Sequence, residues 1–94
     1  MNKKPKLDKH INKDVILCET TNRVASYHTT DILLEHSISF SKIWKKVPFY
    51  KRNTYNGADH VCVISINRNE YGKARRAIDN LERKDYKSLM LNVI

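Results

Sequence analysis

The segment Val61-Cys-Val-Ile-Ser-Ile66 constrains the fold of this chain more than any other feature. All of its residues except Ser65 are apolar, so it lacks the polar–apolar alternation of a strand with one solvated face. Such a strand is typical of a sheet centre, where both faces are covered. Val15-Ile-Leu-Cys18 is a second run of the same kind. The sequence therefore predicts a sheet built around these two strands.

Two further stretches have helical periodicity. Thr29-Thr30-Asp31 is a helix start, with a hydroxyl to cap free amides and an acid in the first turn. An apolar stripe follows it until Pro48, formed by Ile32, Leu33, His36, Phe40, Ile43, Trp44 and Val47. Asn67 or Asn69 can cap a second helix, whose stripe consists of Tyr71, Ala74, Ala77, Ile78 and Leu81.

The remaining segments are predicted from turn and alternation signals. Phe49–Tyr55 resembles a polar strand, and Asn56-Gly57 is a type I′ hairpin signal. In the tail, the alternation of Leu89, Leu91 and Val93 favours a last strand over an extension of the second helix. The segment 23–27 is either the second limb of an N-terminal hairpin or the end of one long bent strand.

The predicted order is strand, helix, strand, strand, helix, strand, which is the α+β split βαβ, or ferredoxin-like, sheet with two helices on one face (βαββαβ). In that topology the first and third strands are central, in agreement with their apolar composition. We expect one domain over 14–94, with an extra N-terminal hairpin as an option, behind a flexible basic arm over 1–13.

Helices on one face leave the other face of this sheet open. If Cys18, Cys62, Ile64 and Ile66 point toward the helices, then Leu17, Val61 and Val63 point away from them. An apolar sheet face is usually buried by a second copy, a partner or another part of the chain. The sequence therefore predicts a homodimer through the open sheet face.

Charge and cysteine use indicate the setting. The chain contains 18 basic and 10 acidic residues, and the resulting net charge of +8 attracts polyanions and acidic protein surfaces. Cys18 and Cys62 lack metal or disulfide spacing, and we expect them to be reduced and buried. No apolar run is long enough for a membrane helix and Met1–Lys13 lacks a secretory pattern, so we expect a cytoplasmic protein without membrane contact. The abundance of Ile, Asn and Lys is typical of AT-rich phage or mobile-element genomes, for which the location is the host cytoplasm.

The motifs of catalysis and of metal or cofactor binding are absent from the sequence. The histidines do not form HxH or HExxH, and Gly57 and Gly72 cannot supply a glycine-rich phosphate loop. Asp59-His60 could form an acid–base pair, although a polar shoulder beside the Asn-Gly turn is the favoured interpretation. We expect no enzymatic activity and no cofactor, with a small RNase-type toxin as the less favoured alternative.

Two basic clusters are the main functional signal, because cations interleaved with aromatic rings are typical of nucleic-acid binding. The predicted binding residues are Lys42, Lys45, Lys46, Tyr50, Lys51, Arg52 and Tyr55 in the first cluster, and Lys73, Arg75, Arg76, Arg83 and Lys84 in the second. Trp44 and Phe49 are expected in the core. The leading hypothesis is an accessory protein that holds DNA or RNA mainly through phosphates. The alternative is an inhibitor or adaptor that docks on an acidic protein surface of a host enzyme or defence complex.

Overall fold

The structure is a computed structural model that describes residues 14–93. The predicted basic arm, 1–13, lies outside these residues. In chain order the elements are β1 (Asp14–Thr20), α1 (Arg23–Glu35), β2 (Phe40–Lys46), a 3-10 helix (Phe49–Tyr55), β3 (His60–Asn67), a 3-10 turn (Arg68–Glu70), α2 (Tyr71–Ile78), α3 (Arg83–Lys87) and β4 (Met90–Leu91).

The strands form one antiparallel sheet in the order β2-β3-β1-β4. The α+β class is confirmed, and the two apolar runs, β1 and β3, occupy the centre as predicted. The predicted last strand is present but short, since only Met90 and Leu91 pair with β1. None of the helices within 14–93 has the length and apolar character that a membrane span requires.

The core lies between the helices and one face of the sheet. Cys62, Ile64 and Ile66 of β3 alternate onto this face, where they pack against buried residues of α1 and α2. Cys18 lies on the same face opposite Ile64, and both cysteines are buried and unpaired, as expected. Burial, with smaller contributions from Cys62 and Glu19, raises the pKa of the Cys18 thiol to about 12, so the thiol stays neutral at physiological pH.

The prediction that Leu17 points away from the helices is wrong. The register of β1 shifts between Ile16 and Cys18, which is a β-bulge, and Leu17 packs fully buried in the helix-side core. The bulge is held by Asn92, whose backbone N–H donates to the carbonyl of Leu17 at 3.0 Å and whose side chain donates to the carbonyl of Ile16 at 2.8 Å.

The predicted extra hairpin is also wrong, because segment 23–27 is the first part of α1. Asn22 is the cap, and its Oδ1 accepts from the backbone N–H of Ala25 at 2.9 Å. The predicted caps Thr29 and Thr30 lie inside the helix, where their hydroxyls donate to backbone carbonyls one turn earlier. The helix α1 therefore begins after the Asn22 cap, before the two threonines that the sequence favoured.

The predicted long helix is wrong over its second half. The helix α1 ends at Glu35, Ser37 adopts a left-handed φ of 58°, and Phe40–Lys46 forms β2 instead. Each residue of β2 pairs with one residue of β3, so this segment satisfies the outer hydrogen-bonding edge of a strand that would otherwise be exposed. Tertiary pairing thus overrides a helical stripe.

The predicted strand over Phe49–Tyr55 is a 3-10 helix that begins after Pro48. Asn56 and Gly57 do have the left-handed φ values of 56° and 84° that their sequence predicts. They end the 3-10 helix, however, and do not join two strands directly, because β2 and β3 are connected by the whole of segment 47–59.

The second predicted helix is confirmed in type and in its buried face. Ala74, Ala77 and Ile78 of α2 are buried, as its stripe requires. The short helix α3 was not predicted, and it is tied to α1 by a contact of 2.6 Å between His28 Nδ1 and Asp85 Oδ2. The carboxylate of Asp85 is buried, whereas the ring of His28 is half exposed.

This contact yields a stability prediction. Replacing His28 with Ala should lower the free energy of unfolding by about 1–3 kcal/mol, because the buried Asp85 carboxylate loses its hydrogen-bond partner on α1. Urea unfolding followed by circular dichroism measures the change. The control is His36→Ala, since His36 is exposed at the end of the same helix and should change stability by less than about 0.5 kcal/mol. Equal losses in the two variants would contradict the assignment.

Candidate functional site

Segment 47–59 folds over the sheet face that the helices leave open. The hydroxyl of Tyr55 donates to Glu19 Oε1 of β1 at 3.0 Å, which carries the segment across β3. Glu19 pairs with Val63 and therefore shares its face of the sheet. Val61 and Val63 are 4% and 6% exposed. The chain itself thus covers the two valines for which the sequence predicted a partner.

A groove of about 260 Å³ lies between this segment and the sheet. Its floor is apolar, its rim carries three lysines, and Glu19 and Tyr55 lie on one side. We call it the basic groove, and its lining residues are Glu19, Lys45, Lys46, Val47, Pro48, Lys51, Tyr55, Val61 and Val63. Four of the predicted binding residues, Lys45, Lys46, Lys51 and Tyr55, are therefore brought together.

The electrostatics of the basic groove suit an anion. Lys45, Lys46 and Lys51 are all exposed, and Glu19 is the one carboxylate among the lining residues. That carboxylate accepts the Tyr55 hydrogen bond, which satisfies part of its acceptor capacity. Exposed ammonium groups on flexible stems can neutralise phosphates or carboxylates without a fixed geometry. The basic groove therefore presents three ammonium groups to an anion.

Two exposed aromatic residues lie in the chain between Lys46 and Lys51. Phe49 and Tyr50 are 78% and 74% exposed, and their ring centroids are 6.4 Å apart at an interplanar angle of 81°. The expectation that Phe49 belongs to the core is wrong, because Pro48 opens a 3-10 helix whose first residues face solvent. Tyr55, in contrast, is half-buried and held by Glu19, so Phe49 and Tyr50 are the rings available to a ligand.

The other members of the first cluster point elsewhere. Lys42 lies on the helix side of β2, with its Nζ 4.3 Å from the centroid of the Tyr27 ring of α1. The Nε of Arg52 is buried without a hydrogen-bond partner within the described chain. Neither residue lines the basic groove.

The second cluster lies on the opposite side of the sheet, on α2 and α3. Arg75 donates to the Tyr71 hydroxyl at 2.8 Å, and that hydroxyl donates in turn to the carbonyl of Asn92. Arg75 is therefore committed to the fold. The exposed members of this cluster are Lys73, Arg76, Arg83 and Lys84. The two clusters do not form one surface, which the linear sequence could not reveal.

A second hollow opens on the helix side, at the end of the sheet where β2 stops and β3 begins. Its volume is about 380 Å³, and we call it the Trp44 cavity. The guanidinium of Arg23 lies 5.3 Å from the centroid of the Trp44 ring. His60 Nδ1 lies 3.2 Å from Asp59 Oδ1, and this hydrogen bond lowers the pKa of Asp59. The cavity is lined by Thr21, Arg23, Trp44, Ala58, Asp59 and His60.

Sequence reasoning missed the Trp44 cavity for two reasons. It placed Arg23 on a strand, although Asn22 before it is a recognised helix cap, and it assigned Trp44 to the core of a long helix. The Asp59-His60 pair, in contrast, does sit on an exposed shoulder after the Asn-Gly turn. Across residues 14–93, no three histidine, cysteine or acidic side chains come together as a metal site would require.

Comparison of the chain with protein-family models, with curated proteins and with solved structures found no match in any of the three sets.

The contact that closes the basic groove can be tested by titration. The hydrogen bond to the Glu19 carboxylate raises the pKa of the Tyr55 phenol above its usual value of 10. Glu19→Gln should bring that pKa back toward 10, since a neutral amide no longer opposes ionisation. Phenolate absorbance across an alkaline titration measures the change, and Tyr55→Phe identifies which tyrosine is responsible.

The raised pKa also fixes a sign for stability. The hydrogen bond contributes its full share to the free energy of unfolding below about pH 10, the pKa of Tyr55 in the unfolded chain. This contribution is lost as pH rises through the higher pKa of Tyr55 in the folded protein. The wild type should therefore lose more stability than Tyr55→Phe over that window. An unchanged tyrosine titration in Glu19→Gln would show that segment 47–59 is not held to β1 in this way.

Proposed function

We propose that this protein is a small accessory protein that binds nucleic acid mainly through phosphates, in the basic groove and along the 3-10 helix beside it. Its ligand is a strand with unpaired bases, DNA or RNA, and its setting is the cytoplasm. The phosphates would contact Lys45, Lys46 and Lys51, while the rings of Phe49 and Tyr50 stack on bases.

The observation that carries this proposal is that two largely exposed rings, Phe49 and Tyr50, lie in the chain between the exposed lysines of the basic groove, Lys46 on one side and Lys51 on the other. The side chains of Phe49 and Tyr50 are 78% and 74% exposed, so both ring faces are accessible to a ligand. Aromatic rings stack on any base, and neighbouring cations neutralise the backbone that links successive bases. This combination favours unpaired nucleic acid over small anions, which need no ring, and over duplex DNA, whose bases are already stacked.

The fold supports a binding mode that avoids the sheet centre. We infer that the arrangement is the ferredoxin-like one, on the basis of the chain order of the six main elements and the central positions of β1 and β3. RNA-binding modules with a related sheet stack bases on aromatic residues of their two central strands. β1 and β3 contain no aromatic residue. The rings of segment 47–59 would take over that role.

A second candidate function is docking on an acidic protein surface. It is favoured by three exposed apolar side chains on the open face, Ile43 at 54%, Met90 at 38% and Ile16 at 37%. An apolar centre with a basic rim suits a protein partner or a second copy of this chain. In that case Ile43→Asp should abolish binding, whereas the nucleic-acid hypothesis expects little effect from it.

The first test compares two triple variants of equal charge. Replacing Lys45, Lys46 and Lys51 with Ala should weaken binding to a short single strand by about tenfold or more, because three phosphate contacts are lost. The same loss should lower the slope of log affinity against log salt by about 2. Fluorescence anisotropy across about 50–300 mM salt measures both quantities.

The control is the triple replacement of Lys73, Arg76 and Lys84 with Ala, which removes the same charge from the opposite side of the sheet. It should leave the slope almost unchanged. If both triples weaken binding equally, the net charge of the protein and not the basic groove determines affinity.

The second test concerns the rings. Tyr50→Ala and Phe49→Ala should each cost about 1–3 kcal/mol of single-strand binding, which is the usual loss for one base–aromatic stack. Duplex binding should hardly change. Tyr27→Ala is the matched control, because Tyr27 is also half exposed but lies on the helix side. Equal losses for single strand and duplex would argue against stacking.

A further inference from the structure

We propose that the Trp44 cavity is a subsite for one nucleotide, in which the base stacks on Trp44 and Arg23 and the phosphate is bound by Arg23. The inference rests on the proposed function and extends it, because it names a site outside the basic groove. A free mononucleotide and one nucleotide of a bound strand share this chemistry.

The Trp44 cavity has the size and the lining residues that a nucleotide requires. A volume of about 380 Å³ lies in the range of small-molecule sites. The lining combines one large ring, one guanidinium and one hydroxyl from Thr21 with the paired side chains of Asp59 and His60. A base, a sugar and a phosphate require a stacking surface, hydrogen-bonding groups and a cation, and this cavity supplies all three.

Trp44 and Arg23 are arranged so that a base can stack on them. The guanidinium is 5.3 Å from the ring centroid, in the range of a cation–π contact, and Arg23 itself is exposed at the start of α1. A planar guanidinium over an aromatic face is a surface on which a base can stack. Its N–H groups are then free to bind phosphate in a bidentate manner.

Asp59 and His60 form the wall of the cavity that offers hydrogen-bonding groups to the base. The hydrogen bond with His60 at 3.2 Å lowers the pKa of Asp59 and uses one carboxylate oxygen, so the other oxygen can accept from an amino group of a base. Its negative charge also disfavours a phosphate at this end and directs the phosphate toward Arg23 and Thr21. The ligand thus has one preferred orientation.

The Trp44 cavity and the basic groove lie at the same end of the sheet. Lys46, which lines the groove, pairs across the sheet with His60, which lines the cavity. The two hollows therefore open at the same end of β2 and β3, the basic groove on the open face of the sheet and the Trp44 cavity on the helix side. A strand that leaves the groove there can place its next nucleotide in the cavity.

Trp44 provides the test, because it is the single tryptophan of the chain. A base stacked near its ring should quench its fluorescence, and the quenching should saturate with adenosine, guanosine, cytidine or uridine monophosphate. Ribose 5-phosphate and inorganic phosphate lack the base and should quench much less. Arg23→Ala should weaken mononucleotide binding by about tenfold, and Arg23→Lys should restore only part of it, since an ammonium does not stack.

The matched control is Arg76→Ala, which removes an exposed arginine from α2 and should leave the quenching curve unchanged. Circular dichroism of each variant checks that the fold is intact. Quenching of equal size in Arg23→Ala and wild type, or equal quenching by ribose 5-phosphate, would overturn the subsite.

The two proposals fail separately. Suppose that an oligonucleotide binds by anisotropy, that Trp44 fluorescence does not change on binding, and that Arg23→Ala binds it as tightly as the wild type. Then the subsite is wrong and the proposal for the basic groove stands. If mononucleotides quench Trp44 while no oligonucleotide binds, the groove is wrong and the cavity binds free nucleotides. If neither ligand binds, both are wrong.

Discussion

Burial of β3 on both faces is the constraint on which the rest of the structure depends. Leaving Val61, Val63, Ile64 and Ile66 in water would cost about 1.5–3 kcal/mol for each side chain, a large sum for a domain whose stability is about 5–15 kcal/mol. The helices α1 and α2 cover one face. Segment 47–59 covers part of the other and is tied there by the hydrogen bond from Tyr55 to Glu19.

This second cover links stability to function. Because segment 47–59 lies across the sheet, Tyr55 covers the valines. Phe49 and Tyr50, which precede Tyr55 on the same 3-10 helix, remain exposed to solvent. The lysines at the end of β2 then border the same groove. Cations and solvent-facing rings are placed together as a consequence of covering β3, and the proposed nucleic-acid interface follows from that placement.

The sequence predicts the parts of this structure that depend on local pattern. The two apolar strands, the stripe of α2 and the left-handed Asn56-Gly57 pair are all recognisable without a structure. The failures are tertiary: β2 carries a helical stripe but is recruited to the free edge of β3, and the bulge at Leu17 reverses one side chain. Lys45, Lys46, Lys51 and Tyr55 of the basic groove were among the predicted binding residues, but the shape of the groove was not predicted. The Trp44 cavity was not predicted, since its walls come from three separate segments.

The most direct test of the central claim is amide chemical-shift mapping by two-dimensional ¹H–¹⁵N NMR during titration with a short single-stranded oligonucleotide. If the strand binds in the basic groove, the largest shifts occur in 45–55 and at Val61 and Val63, which border the groove. Residues 73–84 of α2, α3 and their connection should shift little, although they carry comparable positive charge. Shifts concentrated in 73–84, or spread evenly over all exposed lysines and arginines, would contradict binding in the basic groove.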